Sequence, residues 1–329
     1  MQRLRVAVLD DYQDVVRTLF CFSKLDGHDI AIWNDHVSDL DILAQRLIDA
    51  DVLVLMRERT PVDEALLGRL PNLKLVSQNG HVPHIDLDAC TRHGVLVCSA
   101  LGGRPSYCTV ELTWGLILAA TRNIPFESAA LRAGRWQSTI GLGLRDRTLG
   151  IFGFGRLGAM VAQIGVAFGM KVLVWGRRGS LERAAAAGFS AAPCREALFE
   201  EADVLSLHVR LNPDAAGLIG PQDLARMKPT ALLVNTSRAE LIQPGALAAA
   251  LRTGRPGKAA VDVFEREPLA DPDDPLLQLP NALCTPHLGY VERDNYEFGY
   301  GNAFDQIVAF ARGAPINVRN PDALNQYDR

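Results

Sequence analysis

Short apolar runs rich in Val, Leu and Ile recur along this chain, separated by turns and by stretches with helical spacing. The first are RVAVL, DIAIW, DVLVLM, LKLVS and VLVCS, with helical patterns over 62–70 and 86–93 among the segments between them. Strands covered on both faces read as continuous apolar runs, so this series predicts a small parallel βαβ domain. A longer apolar stretch at 105–121 is too short to span a membrane and carries Glu111, which makes it a buried helix. From Thr148 a second series follows: TLGIFGF, helix 157–168, KVLVW, helix 181–187, DVLSLHV, helix 221–227, ALLVNT, helix 244–252, AAVDVF and ALCTPH. This order predicts a doubly wound sheet. A last helix over 290–311 is expected to return and pack on the N-terminal half. The predicted fold class is α/β, with two Rossmann-like or flavodoxin-like parallel-sheet domains. One, 104–289, is inserted into the other, 1–103 and 290–329.

Length agrees with two domains, since 329 residues exceed a typical single core. Hydrophobic residues make up 48% and charged residues 22%, which is ordinary globular composition. A formal net charge of −4 with no basic excess argues against a nucleic-acid partner. MQR runs straight into the strand pattern LRVAVLDD with no leader-like pattern, so no secretion is expected. Six scattered cysteines (Cys21, Cys90, Cys98, Cys108, Cys194, Cys284) form no CxxC pair, as expected of free thiols in a reducing, cytoplasmic compartment. Of these, Cys108 and Cys284 are the ones expected within reach of an alkylating reagent. His81 and His84 flank a turn with no HExxH or carboxylate pattern, so no metal site is expected.

GFGRLG at 153–158 has the context that a dinucleotide-binding turn requires: a strand before it, a helix after it and a second strand about twenty residues on. Gly153 permits the tight turn, Gly155 lets the backbone approach a pyrophosphate, and Gly158 lets helix and strand pack closely. The helix N-terminus then offers the N–H groups of Arg156 and Leu157. A carboxylate at the end of the next strand would select NAD. That position is Gly176, followed by Arg177 and Arg178, and no acid comes before Glu182. A guanidinium forks onto phosphate oxygens, so NADP is favoured over NAD; two solvated turn arginines are the alternative.

Three segments in the last third each place a polar side chain at a strand end, where open α/β sheets bind ligands. They are VNTSRAEL around Arg238, VDVFEREP with Glu267, and CTPHLGY around His287. With GFGRLG upstream, their order and spacing resemble the D-isomer-specific 2-hydroxyacid dehydrogenase family over nearly the whole chain. The resemblance implies an NAD(P)-dependent oxidoreductase that moves a hydride between a nicotinamide and a small D-2-hydroxy or 2-keto acid, of glyoxylate or hydroxypyruvate reductase type. Arg238 would hold the substrate carboxylate, His287 would be the acid in reduction and the base in oxidation, and Glu267 would orient its ring and favour the imidazolium.

The same resemblance places Asn79, Gly80 and His81 in the loop whose N–H groups approach the substrate carboxylate. It also puts Asp262 on the nicotinamide carboxamide and Thr236 on the cofactor side. The long apolar helix would cross between the domains, and a homodimer would form through the nucleotide-binding domain. The substrate side-chain pocket would come from loops near His81 and 102–106, with a contribution from a second subunit left open. Ala239 and Gln243 depart from the usual glycine and aspartate, which bears on substrate more than on reaction. Two alternatives remain: a 3-phosphoglycerate dehydrogenase-like enzyme without a regulatory domain, and a dinucleotide-sensing corepressor-like binding protein. Formate dehydrogenases of this superfamily carry glutamine where Glu267 stands.

Overall fold

A computed structural model describes residues 3–101 and 107–326; the 102–106 loop assigned to the substrate pocket lies outside the described residues. The chain begins with β1 (Arg5–Val8), β2 (Asp29–Ile32), α1 (Leu40–Leu47), β3 (Val52–Val54), α2 (Glu64–Leu67), β4 (Leu75–Asn79), α3 (Leu87–Arg92) and β5 (Leu96–Ala100). Aspartates start all three helices: Asp39, Asp63 and Asp86 each accept a first-turn N–H. Asp63 and Gly68 trim the helix expected over 62–70 to four residues.

α4 (Tyr107–Thr121), α5 (Ile124–Arg132), β6 (Thr148–Phe152), α6 (Arg156–Ala167), β7 (Lys171–Trp175), α7 (Arg178–Ala186), β8 (Ser190–Ala191) and α8 (Arg195–Glu201) follow. Then come β9 (Val204–Leu207), α9 (Pro221–Arg226), β10 (Leu232–Asn235), α10 (Ala246–Thr253), β11 (Lys258–Val261), β12 (Ala282–Cys284) and α11 (Arg293–Ala311). α11 begins three residues later than expected, because 288–290 forms a separate 3₁₀ turn and Glu292 caps the helix through the N–H groups of Asp294 and Asn295.

Both sheets are wholly parallel: β2-β1-β3-β4-β5, and β12-β11-β10-β9-β6-β7-β8. The protein is therefore an α/β protein with two Rossmann-like parallel sheets. It divides into two compact units, Met1–Arg104 with Glu292–Arg329, and Pro105–Val291. In the first unit α11 covers β4 and β5, burying Tyr300, Phe304 and Ile307, and Ser77 Oγ donates to the Ala303 carbonyl at 2.8 Å. In the second, strand residues alternate between two cores. Leu149, Ile151, Val204, Leu232 and Val234 pack with α4 and α6 on one face, while Phe152, Leu205, Leu207 and Leu233 pack with α8 on the other. No helix among the described residues is long and apolar enough to cross a membrane.

Candidate active site

Strand order in the seven-stranded sheet reverses between β6 and β9, and the crevice beyond the C-terminal strand ends at such a point is where open sheets bind ligands. After β6 the chain turns through Gly153, at φ +97°, into α6. A Cβ at Gly153 would meet the His208 carbonyl oxygen at 2.8 Å, and one at Gly158 would collide with the Gly153 carbonyl, so packing requires glycine at both. At Gly155, the N-cap of α6, a Cβ would meet nothing within 4 Å. Glycine there leaves the backbone open to a ligand, and the first-turn N–H groups of Arg156 and Leu157 have no carbonyl four residues back to reach. A cavity of about 580 Å³ lies against this turn, bounded by the ends of β6, β7 and β9. Volume, open glycine and helix N-terminus together fit a dinucleotide.

Gly176 and Arg177 line this cavity, whereas Arg178 does not. α7 starts at Arg178 rather than at 181, and successive helical residues point about 100° apart, so Arg178 turns outward. Its side chain is 94% exposed and its Nε donates to Glu182 Oε1 at 2.8 Å, so it is placed differently from Arg177. Three further arginines line the cavity. Arg183 donates to the Phe154 carbonyl and Arg195 pairs with Asp223 and the Leu218 carbonyl, so both are held in place. Arg210 has no partner among the described residues, and Arg177 faces Asp214 at 3.9 Å. His208 also lines the cavity; burial pushes its imidazole down to about 4, so it is neutral at pH 7, with Nε2 2.9 Å from Ser206 Oγ. His208 and Arg210 went unnoticed in the sequence, although His208 lies within the DVLSLHV run and Arg210 directly after it, both just past the end of β9, where the strand-end rule that singled out Arg238 applies.

β10, β11 and β12 are neighbours in the sheet, and each is followed by one of the three chemically distinctive residues. After β10, Asn235 closes the turn: its Oδ1 accepts the Ser237 N–H and its Nδ2 donates to the Arg238 carbonyl. Arg238 Nη1 donates to the Ser237 carbonyl at 2.8 Å, which folds the guanidinium back against its own turn. Ala239 opens a 3₁₀ turn without a positive φ, so a residue other than glycine is accommodated, and Gln243 Nε2 reaches the Gly217 carbonyl at 3.4 Å. After β11, Glu267 Oε1 accepts the Phe264 N–H at 2.9 Å, and its Oε2 lies 2.5 Å from His287 Nδ1. Both side chains are mostly buried, at 15% and 16% exposure, and the Tyr290 ring stands edge-on to the imidazole at 5.6 Å.

The D-isomer specific 2-hydroxyacid dehydrogenase NAD-binding domain matches residues 114–289. A glyoxylate reductase of Aeropyrum pernix is 35% identical over 312 residues, 90% of this chain and 91% of that one. The chain belongs to this family. A D-3-phosphoglycerate dehydrogenase of Methanocaldococcus jannaschii is 39% identical over 82% of this chain, which spans only 52% of that relative. Among solved structures, an oxidoreductase from Ralstonia solanacearum is 50% identical with a TM-score of 0.94 over 98% of both chains. A phosphoglycerate oxidoreductase from Vibrio cholerae is 49% identical with a TM-score of 0.91, covering 94% of this chain and 100% of that one.

As a D-2-hydroxyacid dehydrogenase the protein is an oxidoreductase that uses a nicotinamide cofactor on the CH–OH group of a small hydroxy acid. The remaining residues singled out in the sequence fall into place less simply. Thr236 is buried and its hydroxyl lies 2.8 Å from Thr113 Oγ1, tying the end of β10 to α4. Asp262, only 1% exposed, directs both carboxylate oxygens into the 285–289 turn. In the other unit, Asn79 Oδ1 accepts from Asn302 and the Gly80 N–H is taken by the Ala100 carbonyl, so Gly80 is not an open donor. Gly80 has φ +104°, its carbonyl accepts from Ser99 Oγ at 2.6 Å, and the His81 carbonyl accepts from Gln78. The His81 N–H is bonded to no carbonyl among the described residues. Burial with the charge of Asp274 pushes the Cys284 thiol up to about 11, which makes it a poor target for alkylation at neutral pH; Cys194 is the exposed cysteine.

Proposed function

We propose that this dehydrogenase works as a 2-keto acid reductase of the glyoxylate or hydroxypyruvate type, with NADPH preferred over NADH. One observation supports the chemistry above the others: the 2.5 Å approach of His287 Nδ1 to Glu267 Oε2. With Nδ1 held by a carboxylate, Nε2 is the ring position left to exchange a proton with a substrate. A nicotinamide bound beside this site would supply the hydride that the carbonyl carbon takes up. His287 delivers a proton to the carbonyl oxygen, so that C=O becomes CH–OH, and takes it back in oxidation. Glu267 stabilises the cationic ring and fixes its orientation. Arg238 holds the substrate carboxylate by two parallel bonds and draws electron density from the adjacent carbonyl.

The cofactor preference rests on the cations that line the cavity. Arg210 lacks a carboxylate partner among the described residues, Arg177 has only a loose, exposed one in Asp214, and Gly176 leaves the end of β7 without an acid. These two guanidinium groups are the ones open to a 2′-phosphate. Unit Pro105–Val291 is read as the nucleotide-binding domain and the other as the substrate domain, with the Asn79–Gly80–His81 turn offering the His81 N–H to the substrate carboxylate. A homodimer through the nucleotide-binding domain is supported by α5 and the segment after it. Ile124, Phe126 and Leu131 are exposed there, Trp136 is 76% and Ile140 96% exposed, and Ser138 and Thr139 bind back to Glu127, which ties the segment to the helix. Light scattering tests it. Cysteines that form no disulfide among the described residues favour a reducing, cytoplasmic setting.

A panel of 2-keto acids, each with NADPH and NADH, read by absorbance, tests the reading. Fastest turnover of glyoxylate or hydroxypyruvate with NADPH is expected. Faster reduction of the phosphorylated three-carbon keto acid would move the assignment to 3-phosphoglycerate dehydrogenase chemistry. Dinucleotide binding without turnover of any acid would make the chain a sensing protein.

A further inference from the structure

We infer that Asp262 is a positioning residue for His287, holding the turn around it in the left-handed backbone conformation that brings the imidazole onto Glu267. The inference rests on the reading of His287 as the proton donor. His287 sits at φ 52°, ψ 53°, a left-handed region that few non-glycine residues occupy, histidine more readily than most, and that needs local bonds to hold it. The residues on either side of it are gripped by one carboxylate. Asp262 Oδ1 accepts from Thr285 Oγ1 at 2.6 Å and from the Leu288 N–H at 2.7 Å, and Oδ2 accepts the Gly289 N–H at 2.8 Å. The Gly289 carbonyl is held in turn by Thr109 Oγ1 of α4 at 2.6 Å, so the turn is pinned from two sides. β11 ends at Val261, immediately before Asp262, and β11 pairs with β12; the clamp thus spans two adjacent strand ends and ties the loop of one to the other.

Acceptor capacity makes the clamp specific to a carboxylate, because both oxygens take donors. Burial raises the Asp262 carboxyl above its usual range, against the pull of its three hydrogen bonds and of His287. An asparagine of the same shape would turn an N–H toward at least one of the three donors, leaving a buried donor unsatisfied. The turn would relax from the left-handed region and carry the ring away from Glu267.

A double-mutant cycle in the full-length enzyme tests this. Asp262→Asn should lower keto acid turnover on the order of a hundredfold, as expected for a misplacement of about 1 Å in a reacting group. It should shift dinucleotide Kd, measured by calorimetry, by less than about threefold. On a His287→Ala background, the same Asp262→Asn change should cost less than about threefold more, because its target is gone. Equal losses on both backgrounds, or a Kd that weakens in step with turnover, would show that Asp262 acts on the cofactor or the fold and overturn the inference. If His287→Ala alone retains wild-type turnover, the reading of His287 as donor fails instead. Should Asp262→Asn not fold, Gly289→Ala carries the test. Its Cβ would press on Asp262 Oδ2 at 3.2 Å and Thr109 Cγ2 at 3.5 Å, and the same non-additivity with His287→Ala is expected; additive losses would again overturn the inference.

Discussion

At the N-terminal edge of the five-stranded sheet, Asp51 precedes β3, accepts the Arg5 N–H of β1 at 2.9 Å and binds Lys74 Nζ at 2.9 Å just before β4. The same place in the seven-stranded sheet is held by Asp203, which precedes β9, accepts the Thr148 N–H of β6 at 2.9 Å and binds Lys228 Nζ at 2.9 Å ahead of β10. The two C-terminal edges share no such device. In the first unit, Asp10 bonds His36, Tyr12 and Thr60, and Asp11 accepts the N–H groups of Val15 and Val16, so both acids are used up within the edge. In the second, the edge carries the open glycine turn, Arg238, the Glu267–His287 pair and Arg210, which has no partner among the described residues. Parallel strands joined by helices make one edge a place for holding strands together and leave the other free to vary.

This contrast breaks if substitutions at the two edges of the second sheet have the same kind of effect. The largest expected is from His287→Ala, which should lower keto acid reduction on the order of a thousandfold at every pH while leaving the unfolding transition in place. Arg238→Gln should remove about 3 kcal/mol of transition-state stabilisation, read as kcat/KM, because a neutral amide cannot make a charged bidentate bond. Unchanged efficiency in the folded variant would remove Arg238 from the site.

At the opposite edge, Asp203→Asn and Asp51→Asn should each cost about 2 kcal/mol of stability in urea titrations, with turnover per folded molecule unchanged. Burial pushes both carboxyls up, but the N–H and lysine bonds outweigh it and leave them below the usual 3.8. A carboxyl lowered by folding stabilises fully above its unfolded value and stops doing so as the pH falls through its folded value. Wild type should therefore lose stability below about pH 4, and each variant should start lower and lose less over that window.

Smaller effects sharpen the comparison within one edge. Arg210→Ala should reduce the NADPH to NADH efficiency ratio about tenfold, worth about 1.4 kcal/mol. Gly176→Asp should shift it the same way, although a Cβ there meets Ser180 Cβ at 3.0 Å and Ser180 must give ground. Arg178→Ala, facing solvent beside Glu182, should leave the ratio unchanged; a loss equal to that of Arg210→Ala would restore Arg178 to the cofactor site.

Continuous apolar runs made the central parallel strands readable, since both faces of those strands are covered, and the strand-end rule singled out Arg238, Glu267 and His287, which stand three to six residues past the ends of β10, β11 and β12. What escaped was set by local start points and short pieces. A helix beginning at Arg178 rather than 181 turns one of two adjacent arginines to solvent, and no periodicity marks that offset. β8, at two residues, is too short to show a pattern. The Asp51 and Asp203 clamps are single acids at strand starts, visible only once the neighbouring strand is in register.

Because α11 lies some two hundred residues beyond the strands it covers, the two units mature at different times during synthesis. Residues 105–291 form one uninterrupted stretch and can complete their sheet while the ribosome is still translating. β4 and β5 must wait with an apolar face unshielded until Tyr300, Phe304 and Ile307 emerge and cover it. That interval, and not the finished molecule, is when the first unit is most open to aggregation and most in need of a chaperone.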